Sequence, residues 1–130
     1  MKTTFIVVSS MLAGAVLGGA AISALHAQGK APVAYAVIDI SEITDPDVFR
    51  QQLLPKASPA DLATFGGQYV IRAENATALD GTPPQRFVVI SFDSMAKAKA
   101  WNAAPIQQEI EGLRRRSTKS REFLVEGFSN

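Results

Sequence analysis

The sequence has no cysteine, and its one histidine, His26, lies in an apolar N-terminal segment. The region after residue 27 therefore lacks imidazole and thiol groups, which are common general bases, nucleophiles and transition-metal ligands. Catalytic triads, cysteine chemistry and histidine-based metal centres are excluded for this region, and no disulfide can stabilise it. The acidic residues also lack an EF-hand-like spacing, so we expect no metal site and no cofactor.

An excess of either charge is also missing. Of the 13 basic residues, Lys2 alone precedes Gln28, so 12 remain to balance the 12 acidic ones. The one basic run, residues 114–116, lies among glutamates, which is typical of a mixed, solvated helix end. We therefore expect no nucleic-acid partner.

Residues 1–27 are predicted to be a secretory signal peptide. Lys2 precedes an uncharged run of 21 residues, numbers 5–25, and Ala27 supplies a small residue for cleavage. Glycines and serines dilute the run, and no basic cluster follows it directly. We expect cleavage after Ala27 and a periplasmic or secreted protein with no membrane attachment. An uncleaved anchor that leaves the domain outside the cytoplasm is the alternative, because roughly 20 apolar residues span a bilayer.

The remaining chain is predicted to be a short tether, residues 28–32, and one domain, residues 33–130. Apolar and β-branched runs predict strands over residues 33–41, 68–73, 86–92 and 121–127. Capping residues and helical spacing predict helices over about residues 45–54, 58–65, 95–102 and 105–116. The order βαββαβ indicates an α+β, ferredoxin-like sandwich, in which an antiparallel sheet carries its helices on one face.

The first and third predicted strands lack a plainly polar face, since apolar side chains occur in both alternating sets. A solvated sheet face should alternate more cleanly between apolar and polar residues. The face opposite the helices therefore needs a cover, and a second copy of the domain could supply it. We expect a homodimer for this reason.

The order of motifs along the mature chain resembles the bacterial family known as domain of unknown function 1330. The resemblance is carried, in sequence order, by VAYAVIDIS at residues 33–41, Asp45-Pro46 with Phe49, FGGQYVIR at residues 65–72, Leu79-Asp80-Gly81, Arg86 with the apolar strand to Phe92, Ala98 to Trp101, Ala104-Pro105 and Leu113-Arg114. It implies a dimeric α/β-barrel built from two ferredoxin-like protomers. It implies no settled activity, because related barrels include cofactor-independent monooxygenases, haem-degrading enzymes, chlorite dismutase-like proteins and simple ligand binders.

This chain departs from the family pattern at three positions. Phe65 replaces a histidine that often precedes the double glycine, and Asn102 and Gln107 replace tyrosines. The most reactive groups of the family pattern are thus missing. Their loss favours a binding role, or a site built from the polar residues that are left.

Five residues are predicted to line a ligand pocket, either between the sheet and the helices or inside the barrel: Tyr35, Asp39, Tyr69, Arg72 and Arg86. Asp39 lies in an apolar strand, where burial would raise the pKa of an unpaired carboxyl group. Asp39 is either a base or a ligand anchor, or it is a structural acid bonded to a neighbouring strand or to an arginine, and buried acids are usually paired in this way. The two tyrosines are either phenolic donors to a ligand or core aromatics, and Trp101 is predicted to be a packing anchor.

Arg72 and Arg86 flank the turn-rich connection before the third strand. Guanidinium groups suit a carboxylate, so the pair could bind an acidic group of a ligand. The alternative is that they form cross-strand ion pairs with Asp39, Glu74 or Asp80.

Three functions stay open on these residues. The first is binding of a small organic ligand, and the second is a structural or assembly role for the apolar sheet face. The third is a cofactor-independent enzyme in which Asp39 is the base and Arg72 stabilises a developing anion. Catalysis is the least favoured of these three functions because imidazole and thiol groups are missing. No catalytic residue is assigned.

Overall fold

An antiparallel sheet forms one layer of the fold. The computed structural model describes residues 31–128. Its strands are β1 (Ala34–Ile43), β2 (Gly67–Ala73), β3 (Arg86–Phe92) and β4 (Thr118–Glu126). They form a four-stranded sheet in the order β2-β3-β1-β4, and every neighbouring pair is antiparallel. The predicted α+β class and the order βαββαβ are confirmed.

The helices occupy the two connections in which the sequence predicts them. They are α1 (Pro46–Val48), continued by a π-helical segment (Phe49–Leu53) and a 3-10 segment (Leu54–Lys56), then α2 (Pro59–Thr64), α3 (Met95–Ala103) and α4 (Pro105–Ser117). The side chain of Asp45 accepts a hydrogen bond from the Val48 amide, and Ser94 accepts one from Lys97. Each cap satisfies an amide that has no partner inside its own helix.

The double glycine ends α2 and begins β2. Gly66 has a φ of +72°, a conformation that costs glycine little because it has no Cβ. Gly67 lies where a side chain has no room, since an added Cβ would be 2.6 Å from Leu62 Cδ1 and 2.7 Å from Phe92 Cε1. The pair therefore lets β2 pack closely against α2.

One face of the sheet is buried beneath the helices. Ala34 and Ala36 of β1 share this face with Ile90 and Phe92 of β3, because alternate residues of a strand point to the same side. Trp101 of α3 is 5% exposed, and its ring centroid lies 5.3 Å from that of Phe92. It packs in the core, as the sequence predicts.

The opposite side of the sheet, which we call the outward face, carries mainly apolar residues. Strand register assigns these to it: Tyr35, Val37 and Asp39 of β1, Gln68, Ile71 and Ala73 of β2, Phe87, Val89 and Ser91 of β3, and Arg121, Phe123 and Val125 of β4. Among them, Ile71 is 40% exposed, and Phe123 and Val125 are each 45% exposed. The protomer thus leaves a second apolar surface open to solvent.

Strand β4 begins three residues earlier than the sequence predicts, directly after α4. The Ser117 hydroxyl donates to the Leu113 carbonyl and the Thr118 hydroxyl to the Arg114 carbonyl, each at 2.7 Å. These bonds satisfy carbonyls of the last helical turn, so no loop is needed before the strand. Thr118 then pairs with Ile43, which lengthens β1 as well.

Within residues 31–128, no helix is both long enough and apolar enough to cross a membrane. The predicted signal peptide and the first part of the predicted tether lie outside this range. Cleavage after Ala27 and the domain boundaries therefore stay predictions.

Candidate functional site

An apolar cleft of about 70 Å³ opens between the buried face of the sheet and the helices. We call it the helix-side cleft. Apolar side chains form most of its wall, including Ile38, Ile40, Phe49, Leu53, Leu62, Val88, Ile90, Trp101, Ile106 and Ile110. Its polar residues are Lys56, Ser58, Asp61, Tyr69, Arg72, Arg86, Gln107 and Arg114. An apolar concavity with a few convergent polar groups is typical of a small-molecule site.

A β-bulge places two of the predicted site residues on the same side of β2. Tyr69 pairs with Ile90 and Arg72 pairs with Val88, so both tyrosine and arginine lie on the buried face. In a regular strand, residues three apart point to opposite faces. The register shifts immediately after Tyr69, and the extra residue, Val70, brings the side chain of Arg72 to the same face as that of Tyr69.

Tyr69 is held in a fixed position at the cleft. Its hydroxyl donates a hydrogen bond to the carbonyl oxygen of Ala57 at 3.0 Å. Burial raises the pKa of the Tyr69 phenol above its ordinary value of 10.0, although Arg72 and Arg86 act in the opposite direction. The phenol is therefore neutral near pH 7, and its one proton is already donated within the protein.

Arg72 lies over the ring of Tyr69, with its guanidinium carbon 4.4 Å from the ring centroid. This is a cation–π contact, which orients the guanidinium without using its N–H donors. Among the described residues, Arg72 forms no side-chain hydrogen bond and no ion pair. Arg72 is exposed, so its donors face solvent and are available to a group that enters the cleft.

Arg86 is the most deeply placed of the predicted cations, with a side chain that is 9% exposed. Its Nη1 donates to a carboxylate oxygen of Glu74, and its guanidinium carbon lies 5.6 Å from the ring centroid of Phe49. The sequence is compatible with two roles for Arg72 and Arg86, namely binding of a ligand carboxylate and cross-strand ion pairing. Arg86 forms the ion pair with Glu74, whereas Arg72 forms none within the described residues.

Arg114 is a cleft residue that sequence reasoning missed. Residues 114–116 were expected to be a solvated helix end, but that expectation is wrong for Arg114, which is 8% exposed. Its Nη2 donates to Glu122, whose pKa is raised by burial despite the opposing effect of Arg114. The helical spacing of Arg114 with the buried Ile110 and Ser117 was the available signal, since these positions share one helix face.

Tyr35 and Asp39 lie away from the helix-side cleft, on the outward face. Asp39 accepts a hydrogen bond from Nε of Arg121 at 3.1 Å, and its side chain is 22% exposed. Tyr35 packs near the C-terminal end, because a Cβ added to Gly127 would lie 2.9 Å from its ring. The structure thus brings Tyr69, Arg72 and Arg86 together and leaves these two apart.

Two of the positions that depart from the family pattern line the helix-side cleft, namely Phe65 and Gln107. The third, Asn102, lines a separate surface concavity. Within the described range, no cluster of acidic side chains could hold a metal ion. The cleft can therefore enclose an apolar group and offer guanidinium donors, but it presents no imidazole or thiol group.

The fold is similar to that of two solved structures. One is a protein of unknown function, RPA0582 from Rhodopseudomonas palustris, at 13% identity over 76% of this chain and 85% of that chain, with a TM-score of 0.56. The other is SnoaB, a cofactor-independent oxygenase from Streptomyces nogalater, at 17% identity over 77% of this chain and 97% of that chain, with a TM-score of 0.51. At such identities the likeness concerns the fold alone.

Comparison with curated proteins finds no match. The model of the family described as "domain of unknown function (DUF1330)" matches residues 33–128, which include all strands and helices described above. The chain belongs to the DUF1330 family.

Proposed function

We propose that the chain is an exported homodimer that binds a small organic molecule in the helix-side cleft. The observation that carries this proposal is the composition of the cleft. Its wall is apolar, and the guanidinium groups of Arg72 and Arg86 and the ring of Tyr69 converge on it. Such a combination buries an apolar body and orients one polar group.

Binding is favoured over catalysis because the cleft has no imidazole or thiol group, the side chains best matched to proton transfer near neutral pH. The mature chain has no imidazole or thiol. The phenol of Tyr69 is neutral and donates to Ala57. Asp39, the expected base, lies on the opposite face of the sheet from Arg72 and pairs with Arg121. A mechanism that uses Asp39 and Arg72 in one site thus lacks geometric support.

The homodimer is supported by the outward face. Apolar side chains such as Ile71, Phe123 and Val125 are 40–45% exposed in the protomer. Ile71 and Phe123 lie on the two edge strands, and the paired residues Val89 and Val37 connect them across the sheet. Contiguous apolar patches of this kind mark association surfaces. A second copy fits because a two-fold interface joins the same surface on both subunits. A purely structural role, in which the outward face only assembles, is the second candidate, and the same face favours it.

Export is supported by the N-terminal sequence alone. Residues 1–27 have the basic start, the apolar run and the small closing residue of a signal peptide.

The binding role is tested with two neighbouring glutamines of α4. Gln107 lines the helix-side cleft, whereas Gln108 is exposed and does not. A screen of small organic molecules by thermal shift should find compounds that raise the melting temperature of the wild type and of Gln108→Phe, because ligands stabilise the state they bind. The same compounds should not stabilise Gln107→Phe, in which the new ring fills the cleft. Equal stabilisation of both variants would show that the binding site lies elsewhere.

A further inference from the structure

We propose that the ligand is a small monocarboxylate whose carboxylate lies between Arg72 and Arg86 and replaces Glu74 on Arg86. This inference rests on the proposed binding function and names the chemical class of its ligand.

Arg72 and Arg86 are diagonal neighbours on the buried face of the sheet. Arg72 pairs with Val88 of β3, and Arg86 lies two residues before Val88 on that strand. Diagonal neighbours have Cα atoms roughly 7–8 Å apart, which long side chains can bridge. Both side chains line the helix-side cleft, and the Arg72 guanidinium lies over the ring of Tyr69. A single carboxylate between them can therefore accept hydrogen bonds from both.

Both guanidinium groups have donors to spare. An arginine offers five N–H donors. Among the described residues, the Arg86 side chain donates only to Glu74, and Arg72 has no side-chain acceptor at all. The side chain of Arg86 is nine-tenths buried, yet its remaining donors still reach solvent, since no fully buried side-chain nitrogen of the described residues lacks a partner. A bound carboxylate would satisfy donors that the protein itself leaves unused.

The ion pair of Arg86 with Glu74 is suited to exchange. Glu74 follows the last residue of β2, and its side chain is 74% exposed, so it loses little by returning to water. The ion pair of Arg114 with Glu122 is different, because its side chains are only 10% and 19% exposed. Glu74 is thus the more exposed and more easily displaced of the two carboxylate partners. An incoming carboxylate can replace it in the ion pair with Arg86.

The size and charge of the cleft limit the ligand further. Its volume of about 70 Å³ is well below the roughly 150 Å³ of an engineered cavity that holds benzene. A short aliphatic chain fits, whereas a ring would be only partly enclosed. Lys56 and Arg114 already have carboxylate partners, and Asp61 would repel a second negative charge. A monoanion is therefore favoured over a dicarboxylate.

The test uses Trp101, which is the only tryptophan of the chain and lines the cleft. Butyrate and isobutyrate are titrated against the purified protein, with butyramide and isobutyramide as neutral controls of the same shape, and tryptophan fluorescence is measured. We expect a saturable change with the acids, and binding at least about tenfold weaker with the amides, because charge-assisted hydrogen bonds are lost.

Two pairs of variants assign the effect to its residues. Arg72→Ala should weaken butyrate binding by about tenfold or more, whereas Arg116→Ala, at an exposed arginine outside the cleft, should not. Glu74→Gln should strengthen butyrate binding by about two- to fivefold, because the internal competitor is gone. Glu42→Gln removes an exposed carboxylate that pairs with Lys119, and it should leave the affinity unchanged.

The outcomes separate this inference from the binding function. If acids and amides bind equally and Gln107→Phe abolishes the binding of both, the ligand does not need a carboxylate group and that proposal is wrong. The cleft would still be a binding site. Weaker butyrate binding in Glu74→Gln would overturn the exchange at Arg86. If neither acids nor amides bind, the carboxylate class is wrong, and the thermal-shift screen with Gln107→Phe and Gln108→Phe decides whether the binding function falls with it.

Discussion

Tyr69 and Arg72 are three residues apart on β2, yet their side chains share one face of the sheet, with the guanidinium carbon 4.4 Å from the ring centroid. The bulge at Val70 produces this relationship, because one extra residue compensates for the alternation of the strand. The bulge thus brings two polar residues of the helix-side cleft together from a single strand.

Deletion of Val70 tests the role of the bulge. Without Val70, Ile71 comes directly after Tyr69 and points to the outward face, while Tyr69 and Arg72 both stay on the buried face. Regular alternation along β2 is thus restored. We expect the deletion variant to fold cooperatively and to keep carboxylate binding. Deletion of Val89 from the regular strand β3 should abolish cooperative thermal unfolding, because it reverses the faces of the residues on one side of the deletion. Circular dichroism melts measure the cooperativity of thermal unfolding. If both deletions reduce it equally, Val70 is not the extra residue of a β-bulge.

Two glycines should respond to alanine with opposite signs. Gly67→Ala places a Cβ 2.6 Å from Leu62 Cδ1, so we expect a loss of about 1–3 kcal/mol in the free energy of unfolding. A Cβ at Gly112, inside α4, meets nothing within 4 Å, so Gly112→Ala should gain about 0.5–1 kcal/mol. Urea unfolding measures both changes, and a loss at Gly112 as large as that at Gly67 would refute the packing described here.

The pH dependence of stability should carry a contribution from Glu122. Burial raises the pKa of its carboxyl group in the folded state above the ordinary value of 4.5, so the folded state holds its proton to higher pH than the unfolded chain does. This contribution is fully present below pH 4.5 and is lost as the pH rises through the folded-state pKa.

Unfolding free energies of the wild type and of Glu122→Gln are compared from below pH 4.5 upwards. Their difference isolates the contribution of the Glu122 carboxyl group to stability. The advantage of the wild type over the variant should fall as the pH rises and then level off. Glu126→Gln, an exposed position on the same strand, serves as the control. A difference that grows with pH would reverse the inferred direction of the shift.

The proposed association through the outward face should depend on Phe123. Phe123→Lys places a charge within the apolar surface, on the edge strand β4, so we expect a dimer of the wild type to dissociate to a monomer with unchanged secondary structure. Leu79→Lys alters an apolar side chain that is 99% exposed in the connection before β3, and it should leave the dimer intact. Light scattering coupled to size-exclusion chromatography distinguishes the two, and a wild-type monomer would remove the basis for the interface.

The sequence predicts the sheet well because its signals are local. Strand β3 occupies residues 86–92 as predicted, since an apolar run lies between proline-rich and capping segments. The end of α4 was placed less well, because the hydroxyl bonds of Ser117 and Thr118 that close the helix depend on the conformation itself.

The candidate site was only partly predictable. Alternation separates the two faces of β1, but it does not say which face the helices cover, so Asp39 and Arg72 were placed together. No residue type marks the bulge at Val70, which depends on pairing with β3. The burial of Arg114 depends on its partner Glu122 in the next strand, a long-range contact that composition does not reveal.

Native mass spectrometry of the protein isolated from the extracytoplasmic fraction, without refolding, is the decisive test of ligand binding and of the dimer. The account predicts a dimer of the chain from Gln28 to Asn130 that carries a discrete additional mass of a small organic molecule. The additional mass should persist in Gln108→Phe and be lost from Gln107→Phe. A dimer with no additional mass in any of the three proteins would contradict a ligand-binding role and favour assembly, and a monomer would contradict the proposed use of the outward face.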